Sequence, residues 1–445
     1  MKVRRFIGFI LLTMVFMSVV QAQESQAPLT LEESIKIAMQ RSLALNIAAL
    51  GVAGSEFRRK EAVTSFLPTW IGDYSWTRTN QPVLLGVSQG TLAGATGSGT
   101  LASPAKDIYS FHTSLNQPIF TGGRNLANYR FAKLGVDLSK TGVETAKLDV
   151  VEQVKVGYFT VLRAEKFLAV AEQQVKNFEA QLGVTKAFFD VGIVPKNDVL
   201  QAEVQLANAQ QSLVNAGNAL ASAKAQFNTL LIREVNTPFE VVDILAYKAF
   251  PLSFEQSLEE AVRLRPEIKA AQLSIDQAKE NVKIARSGFF PTIGFTGGYT
   301  RSSNDFDLSG GGNFNDQWQL GASASFTIWN WGNTAFQVGE NKVKVSQAED
   351  SKTQLVLSIT LAVKNDYLNM LAAEKNIRTA EKAVEQAEEN LRMFEERYRY
   401  QVATQTDVLI AVTLLAQART NYYGALSDFN VAKAQLERDM GRMYP

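Results

Sequence analysis

The chain has no cysteine and a single histidine, His112. Without thiols it forms no disulfide, carries no thiol-linked lipid at a processed N-terminus and builds no thiolate metal site. One imidazole leaves a zinc centre almost without material, so no metal or other cofactor is expected. Net charge is also missing, since 45 Lys and Arg face 44 Asp and Glu. Such a balance offers nucleic acid no electrostatic footprint. Long apolar runs are confined to the start of the chain. Any membrane-crossing part beyond that point therefore has to be a β-barrel. Proline is absent from 119 to 194 and from 292 to 444, which leaves room for very long helices.

What is present begins with Lys2, Arg4 and Arg5, an apolar run from Phe6 to Val20, and small residues ending at Ala22. This predicts a secretory signal peptide over 1–22. A membrane anchor is the other reading, but the run is short against the roughly 20 residues of a span. Removal of 1–22 takes three cations away and leaves the mature chain, 23–445, slightly acidic.

Val199, Leu206, Leu213, Leu220 and Phe227 recur every seven residues, with Ala202, Ala209, Ala216 and Ala223 between them. The same register returns 209 residues later in Val408, Leu415, Tyr422, Phe429 and Leu436, with Ala411, Ala418, Ala425 and Ala432. A seven-residue apolar register is a coiled-coil seam, and alanine along it lets helices approach closely. A second offset of 223 aligns Glu32 with Glu255, Ala38 with Ala261, Leu50 with Leu273, Pro68 with Pro291 and Arg78 with Arg301. The chain is therefore one protomer of two repeats, 29–236 and 252–441, joined by a segment at 237–251.

Each repeat opens with a helical stretch, Leu31–Phe66 or Phe254–Phe289, that stops at a proline. After the proline the apolar period changes from helical to two. Thr69–Arg78, Tyr109–Asn116, Thr292–Arg301 and the run through Trp318, Leu320, Phe326 and Ile328 each have one apolar, aromatic face and one hydroxyl- and amide-rich face. That is the pattern of strands with lipid on one side and water on the other. The loops Asn80–Asp107 and Ser302–Asp316 join them in pairs, and His112 falls on the watery face. Gly94–Thr100 superficially looks like a phosphate loop but lacks its lysine and lies between strands.

Pro118–Gly123 and Thr327–Gly332 return the chain to helix, and Gly122–Asp190 is long enough for one helix of roughly 100 Å. Asp198–Asn236 and Phe254–Phe289 are each about half that, roughly 55 Å. One long helix is thus matched by two short ones end to end. Four strands cannot close a barrel, because about eight is the smallest number known. Two copies would fill their own interior, and three leave a lumen. The fold expected is a mixed α/β membrane protein, a trimeric 12-stranded transmembrane β-barrel with four strands per chain, continuous with a long antiparallel α-helical coiled-coil barrel.

The duplicated Phe-x-Pro before a strand, Pro118–Gly123, Val191-Gly192-Ile193 at the first bend, and Asp-Val-Leu opening both return helices (Asp198 and Asp407) carry a resemblance. In order and spacing the mature chain resembles the TolC-type outer membrane efflux proteins of Gram-negative bacteria. The resemblance implies a homotrimer among outer membrane lipids with its helical part in the periplasm. It also implies passive conduction for an inner-membrane transporter, through a periplasmic adaptor protein. It places adaptor docking at Val191, Gly192 and Ile193, and a periplasmic gate at Asp407, Asp198 and Tyr398. The second bend, Tyr400-Gln401-Val402, lacks the glycine, and Ala403 and Ile410 stand where some members carry a gate arginine and a second ring acid.

Plainer readings stand beside these. Asp198 and Asp407 are also expected as helix-capping or first-turn carboxylates, and Tyr398, Phe188 and Phe189 as seam residues. No convergent catalytic set is present, so the chain is not read as an enzyme. The functional alternatives are a duct for type I protein secretion, a stand-alone porin, or a periplasmic coiled-coil scaffold. The porin leaves the long helices unexplained, and the scaffold leaves the amphipathic strands unexplained.

Overall fold

A computed structural model describes residues 28–79, 107–303, 306 and 315–443. The expected signal peptide, 1–22, and nearly all of the two strand-joining loops lie outside the described residues.

The first helical stretch is two helices, α1 (Leu31–Arg41) and α2 (Leu43–Thr64). Thr30 and Glu33 close a capping box ahead of α1, and Ser42 both ends α1 and accepts the Leu45 N–H to start α2. Strands β1 (Thr69–Arg78) and β2 (Asp107–Thr121) follow, then α3 (Arg124–Asp190) and α4 (Lys196–Leu230). After an irregular segment the pattern returns as α5 (Phe254–Leu264), α6 (Pro266–Arg286), β3 (Thr292–Ser303), β4 (Asn315–Ser325), α7 (Asn333–Arg399) and α8 (Gln405–Asp439). Both α3 and α7 run 67 residues, and both start behind a left-handed glycine, Gly123 or Gly332. At 1.5 Å per residue each spans roughly 100 Å. No single described helix is long and apolar enough to cross a membrane.

Two expectations need correction. Leu31–Phe66 and Phe254–Phe289 are not single helices: each breaks after eleven residues, at Ser42 and at Arg265. Ser42 competes for a backbone N–H, and Pro266 supplies a rigid first residue for a new helix. The strand ends also differ between the hairpins. β2 runs past Pro118 to Thr121 through an irregularity at Pro118/Phe120, whereas β4 stops at Ser325, short of Phe326 and Ile328. Pro118 lacks the N–H that a regular ladder would use, so the bulge falls there.

The four strands form one antiparallel sheet in the order β1-β2-β3-β4. The register puts Trp70, Tyr74, Trp76, Phe111, Leu115, Tyr299 and Trp318 on one face. His112, Ser114, Thr300, Gln317 and Gln319 share the other, where His112 Nδ1 lies 2.9 Å from Thr300 Oγ1. On the strand side of the molecule the helices pack in the order α2-α3-α6-α7, and on the bend side in the order α4-α3-α8-α7. A main core around Val154, Tyr158, Leu162, Phe227 and Phe429 holds the middle. A second cluster around Phe178, Tyr398, Val408 and Leu415 holds the bend side.

Candidate functional site

Both bends close in the same way. At the first, the Gly192 N–H bonds the Phe189 carbonyl at 2.9 Å and the Ile193 N–H bonds the Phe188 carbonyl at 2.8 Å. At the second, Gln401 bonds Tyr398 at 3.0 Å and Val402 bonds Arg397 at 2.8 Å. This pair of bonds needs a left-handed residue, supplied by Gly192 at φ 77° and by Gln401 at φ 64°. The missing glycine therefore leaves the second bend with the same backbone path under strain. Gln401→Gly should gain about 0.5–1 kcal/mol, the relief of left-handed strain less the extra chain entropy of glycine. Slower amide exchange at Val402 in the variant checks it.

The tips are bare. Val191 and Ile193 are 69% and 50% exposed, and Tyr400 and Val402 on the second bend are 80% and 63% exposed. Apolar side chains clustered so on a turn mark a contact surface.

The three gate candidates sit differently. Asp198 lies in the first turn of α4, whose cap is Pro195 and has no side-chain bond, so Asp198 is not the cap itself. Asp407 closes a capping box on α8: its Oδ2 accepts from the Thr404 N–H at 2.9 Å and from the Thr404 hydroxyl at 2.7 Å. The hydroxyl bond first, then the N–H, holds its carboxyl below the usual carboxylate range. Tyr398 is buried in the bend-side core, its ring 5.5 Å from that of Phe188. Its hydroxyl bonds neither aspartate of its own chain and makes no well-formed hydrogen bond, the Thr185 side chain being its polar neighbour, and burial raises its pKa. The seam reading of Tyr398 is the one the packing fits.

What joins the hairpins here is a cluster that sequence reasoning passed over. Gln405, 2% exposed on α8, accepts at Oε1 from Gln181 Nε2 at 2.6 Å and faces the Thr185 hydroxyl at 2.8 Å, both on α3. The Thr185 hydroxyl also lies 2.9 Å from the Gln181 carbonyl and donates to one acceptor at a time. Gln405 Nε2 is buried without a partner, a cost of about 1–3 kcal/mol. Nearby, Thr406 reaches Gln201 of α4 at 3.3 Å. The cluster did leave a signal. Gln181 and Thr185 each lie seven residues from a seam aromatic, Phe188 and Phe178, so each is a polar residue at an apolar register position, whereas Gln405 falls outside the seam register of Val408 and Ala411.

The two lateral margins are open. β1 and β4 are exposed at every residue, each with one unpaired edge. The helices on those margins carry most of the exposed apolar helix surface: Ile47, Leu50 and Phe57 on α2, Val204 and Val214 on α4, Phe336, Leu357 and Leu361 on α7. No large apolar side chain of α6, which lies between the margins, is exposed in this way. A sheet edge left unpaired and an apolar flank left bare are surfaces that another chain covers.

Comparison with known proteins agrees with this geometry. The profile of a family described as outer membrane efflux protein matches residues 34–231 and 257–442. Outer membrane efflux protein BepC of Brucella suis is 22% identical over 416 residues, 93% of this chain and 86% of that protein. Outer membrane protein TolC of Escherichia coli is 24% identical over 310 residues, 67% of this chain and 63% of that one. Among solved structures, the Campylobacter jejuni CmeC outer membrane channel superposes with a TM-score of 0.76 at 17% identity, covering 92% of this chain and 85% of its own. The Vibrio cholerae outer membrane protein VceC superposes at 0.74, also at 17% identity, covering 92% and 96%. The fold is that of the trimeric channels, a β-barrel on a helical barrel. With its four-stranded sheet, its paired long helices and matches over both halves, the chain belongs to the outer membrane efflux protein family and resides in the outer membrane of a Gram-negative bacterium.

Proposed function

We propose that the protein is the outer membrane channel of a tripartite export system, a passive trimeric duct for cargo delivered by an inner-membrane pump. The observation that carries the reading is the pair of bare apolar bends at the far end of roughly 100 Å helices, which a diffusion porin would not need. In this reading 29–236 and 252–441 are the two repeats, and 237–251 girdles the duct where the short helices meet end to end. An adaptor docks on Val191, Gly192 and Ile193, and on the equivalent surface of Tyr400 and Val402. Three copies of Asp407 and Asp198 line the closed mouth and favour cations there. Tyr398 acts from within the seam, by packing rather than by hydrogen bonding.

Ile193→Asp tests the docking surface, because it places a charge on a bare apolar tip without touching a buried side chain. The variant should still form trimers in the outer membrane. It should lose about tenfold or more in cross-linking to the adaptor, a loss of at least about 1.4 kcal/mol. Unchanged adaptor cross-linking and unchanged export would remove the first bend from the interface.

A further inference from the structure

The two return helices end on the two helix breaks, but with different chemistry. At the end of α4, Leu231 is fully buried and Ile232 is forced to φ 53°. At the end of α8, Met440 is fully buried and Gly441 takes φ 71°. A side chain at Gly441 would meet the Leu264 carbonyl carbon and the Arg265 nitrogen at 3.0 Å, so α8 is seated directly on the α5/α6 break.

Around the α8 seat lies a charged cluster. Arg438 bonds Asp149 of α3 at 2.7 and 2.9 Å, Glu267 of α6 at 3.1 Å and Asp439 at 3.0 Å. Arg265, 8% exposed at the break, reaches Glu267 at 3.2 Å and Asp439 at 3.4 Å. Arg442 bonds Glu260 of α5 at 2.6 and 2.9 Å. The 209-residue offset sets Asp366 of α7 where Gly157 stands and Asp439 where Leu230 stands, and a side chain at Gly157 would meet Leu230 Cδ2 at 3.2 Å, so Asp366 faces Asp439, with the charges of Arg265 and of Glu152 on α3 also acting on it. Beside the Arg442–Glu260 pair, then, five carboxyls, Asp149, Glu152, Glu267, Asp366 and Asp439, converge on two guanidiniums. Both guanidiniums are bonded to Asp149, Glu267 or Asp439 rather than to Asp366.

The first repeat shows what the same place looks like without charge. The 209-residue offset sets Gly157 opposite Asp366 and Leu230 opposite Asp439. A side chain at Gly157 would meet Leu230 Cδ2 at 3.2 Å and Phe227 at 3.0 Å, so α3 and α4 meet there in tight apolar contact. Thr229 stands for Arg438 and, by the 223-residue offset, Ala44 for Glu267. One repeat fills this joint with hydrocarbon, and the other fills it with two facing carboxyls.

We propose that Asp366 and Asp439 form a proton-operated joint between α7 and the end of α8, closed while the two carboxyls share one proton and loosened when that proton is lost to solvent. Two carboxylates in contact cannot both ionise without repulsion, and the two arginines are already engaged. Burial first, then the Asp439 charge, raises Asp366 to about 7. A carboxyl whose folded pKa lies above its unfolded one contributes stability below the unfolded value that is lost as pH rises through the folded value. The joint is therefore tight in mildly acid surroundings and slack above neutrality. The α3–α4 joint, with no carboxyl, does not respond.

The test is the melting temperature of the purified full-length trimer between about pH 5.5 and about pH 8. The wild type should melt at least about 3 °C lower at the alkaline end. Asp366→Asn should flatten that dependence and melt above the wild type in alkali. Should Asp366→Asn fail to assemble, Asp366→Gly with Asp439→Leu copies the contact of the first repeat and should be equally flat. A wild type that melts at one temperature throughout, or an assembled variant that keeps the alkaline fall, would overturn the proposal.

Discussion

Glutamate at both Gln181 and Gln405 is expected to spring the mouth open. Wild-type α3 and α8 are joined there by neutral groups, the Gln181 amide and the Thr185 hydroxyl converging on Gln405 Oε1, in a site almost closed to water. Two carboxylates in that site would be like charges, desolvated and without a cation. Leaving even one buried charge uncompensated costs about 3–5 kcal/mol, more than the hydrogen bonds lost. The hairpin α7–α8 can relieve the cost by swinging away from α3, since Gln405 Nε2 and the Tyr398 hydroxyl already lack partners and the apolar cluster around Phe178 and Leu415 must do the holding. The expected readout is a several-fold rise in single-channel conductance above neutral pH. It should shrink in acid, where protonated carboxyls can hydrogen-bond again. Gln405→Leu should show neither the large conductance nor the pH dependence. It should only lower stability, by about 1–3 kcal/mol for the stranded Gln181 amide, since the Thr185 hydroxyl keeps the Gln181 carbonyl as its acceptor.

That cluster also shows where reading the sequence stops. The 67-residue helices were legible because nothing in them interrupts a helical period, and the sheet because aromatic and hydroxyl residues alternate in four separate runs. The bends were legible from Gly192 and from the matching position of Gln401. The breaks at Ser42 and Arg265 were not, since apolar periodicity continues across both; a local contest for one N–H decides the first, and Pro266, easily taken as part of a continuing helix, decides the second. Gln405 was hidden for a different reason. A heptad shows which face of α8 is buried but not that α3 of the other hairpin packs beside it, and an isolated glutamine next to the seam tells nothing until the second glutamine is placed against it. Asp407 shows the reverse. Its position before a helix was plain, and the capping box it makes uses one carboxylate oxygen and leaves the other out of those bonds.

A charge on either lateral margin should have the other large effect. Leu50 on α2 and Leu361 on α7 are 62% and 61% exposed, on opposite margins of the helical layer, beneath the unpaired edges of β1 and β4. Joining β4 and α7 of one copy to β1, α2 and α4 of the next pairs both edges and covers both flanks. Such a head-to-tail contact closes into a ring when the rotation per copy divides a full turn. Fully burying a leucine is worth about 1.5–3 kcal/mol. Aspartate in its place forfeits that and adds a desolvated charge, three times over in a ring. Leu50→Asp or Leu361→Asp alone should therefore abolish the trimer and leave monomers. Aspartate on an exposed polar side chain away from both margins, such as Asn421→Asp on α8, should not.

Ring closure is the claim on which the duct depends, and the absence of cysteine makes it directly measurable. Leu50→Cys with Leu361→Cys puts one thiol on each margin, and a bis-maleimide with a flexible spacer then joins copies whose opposite margins meet. The cross-linked ladder from outer membranes should end sharply at three chains. A ladder that ends at two, or that continues beyond three, would contradict a three-copy ring closed through these margins.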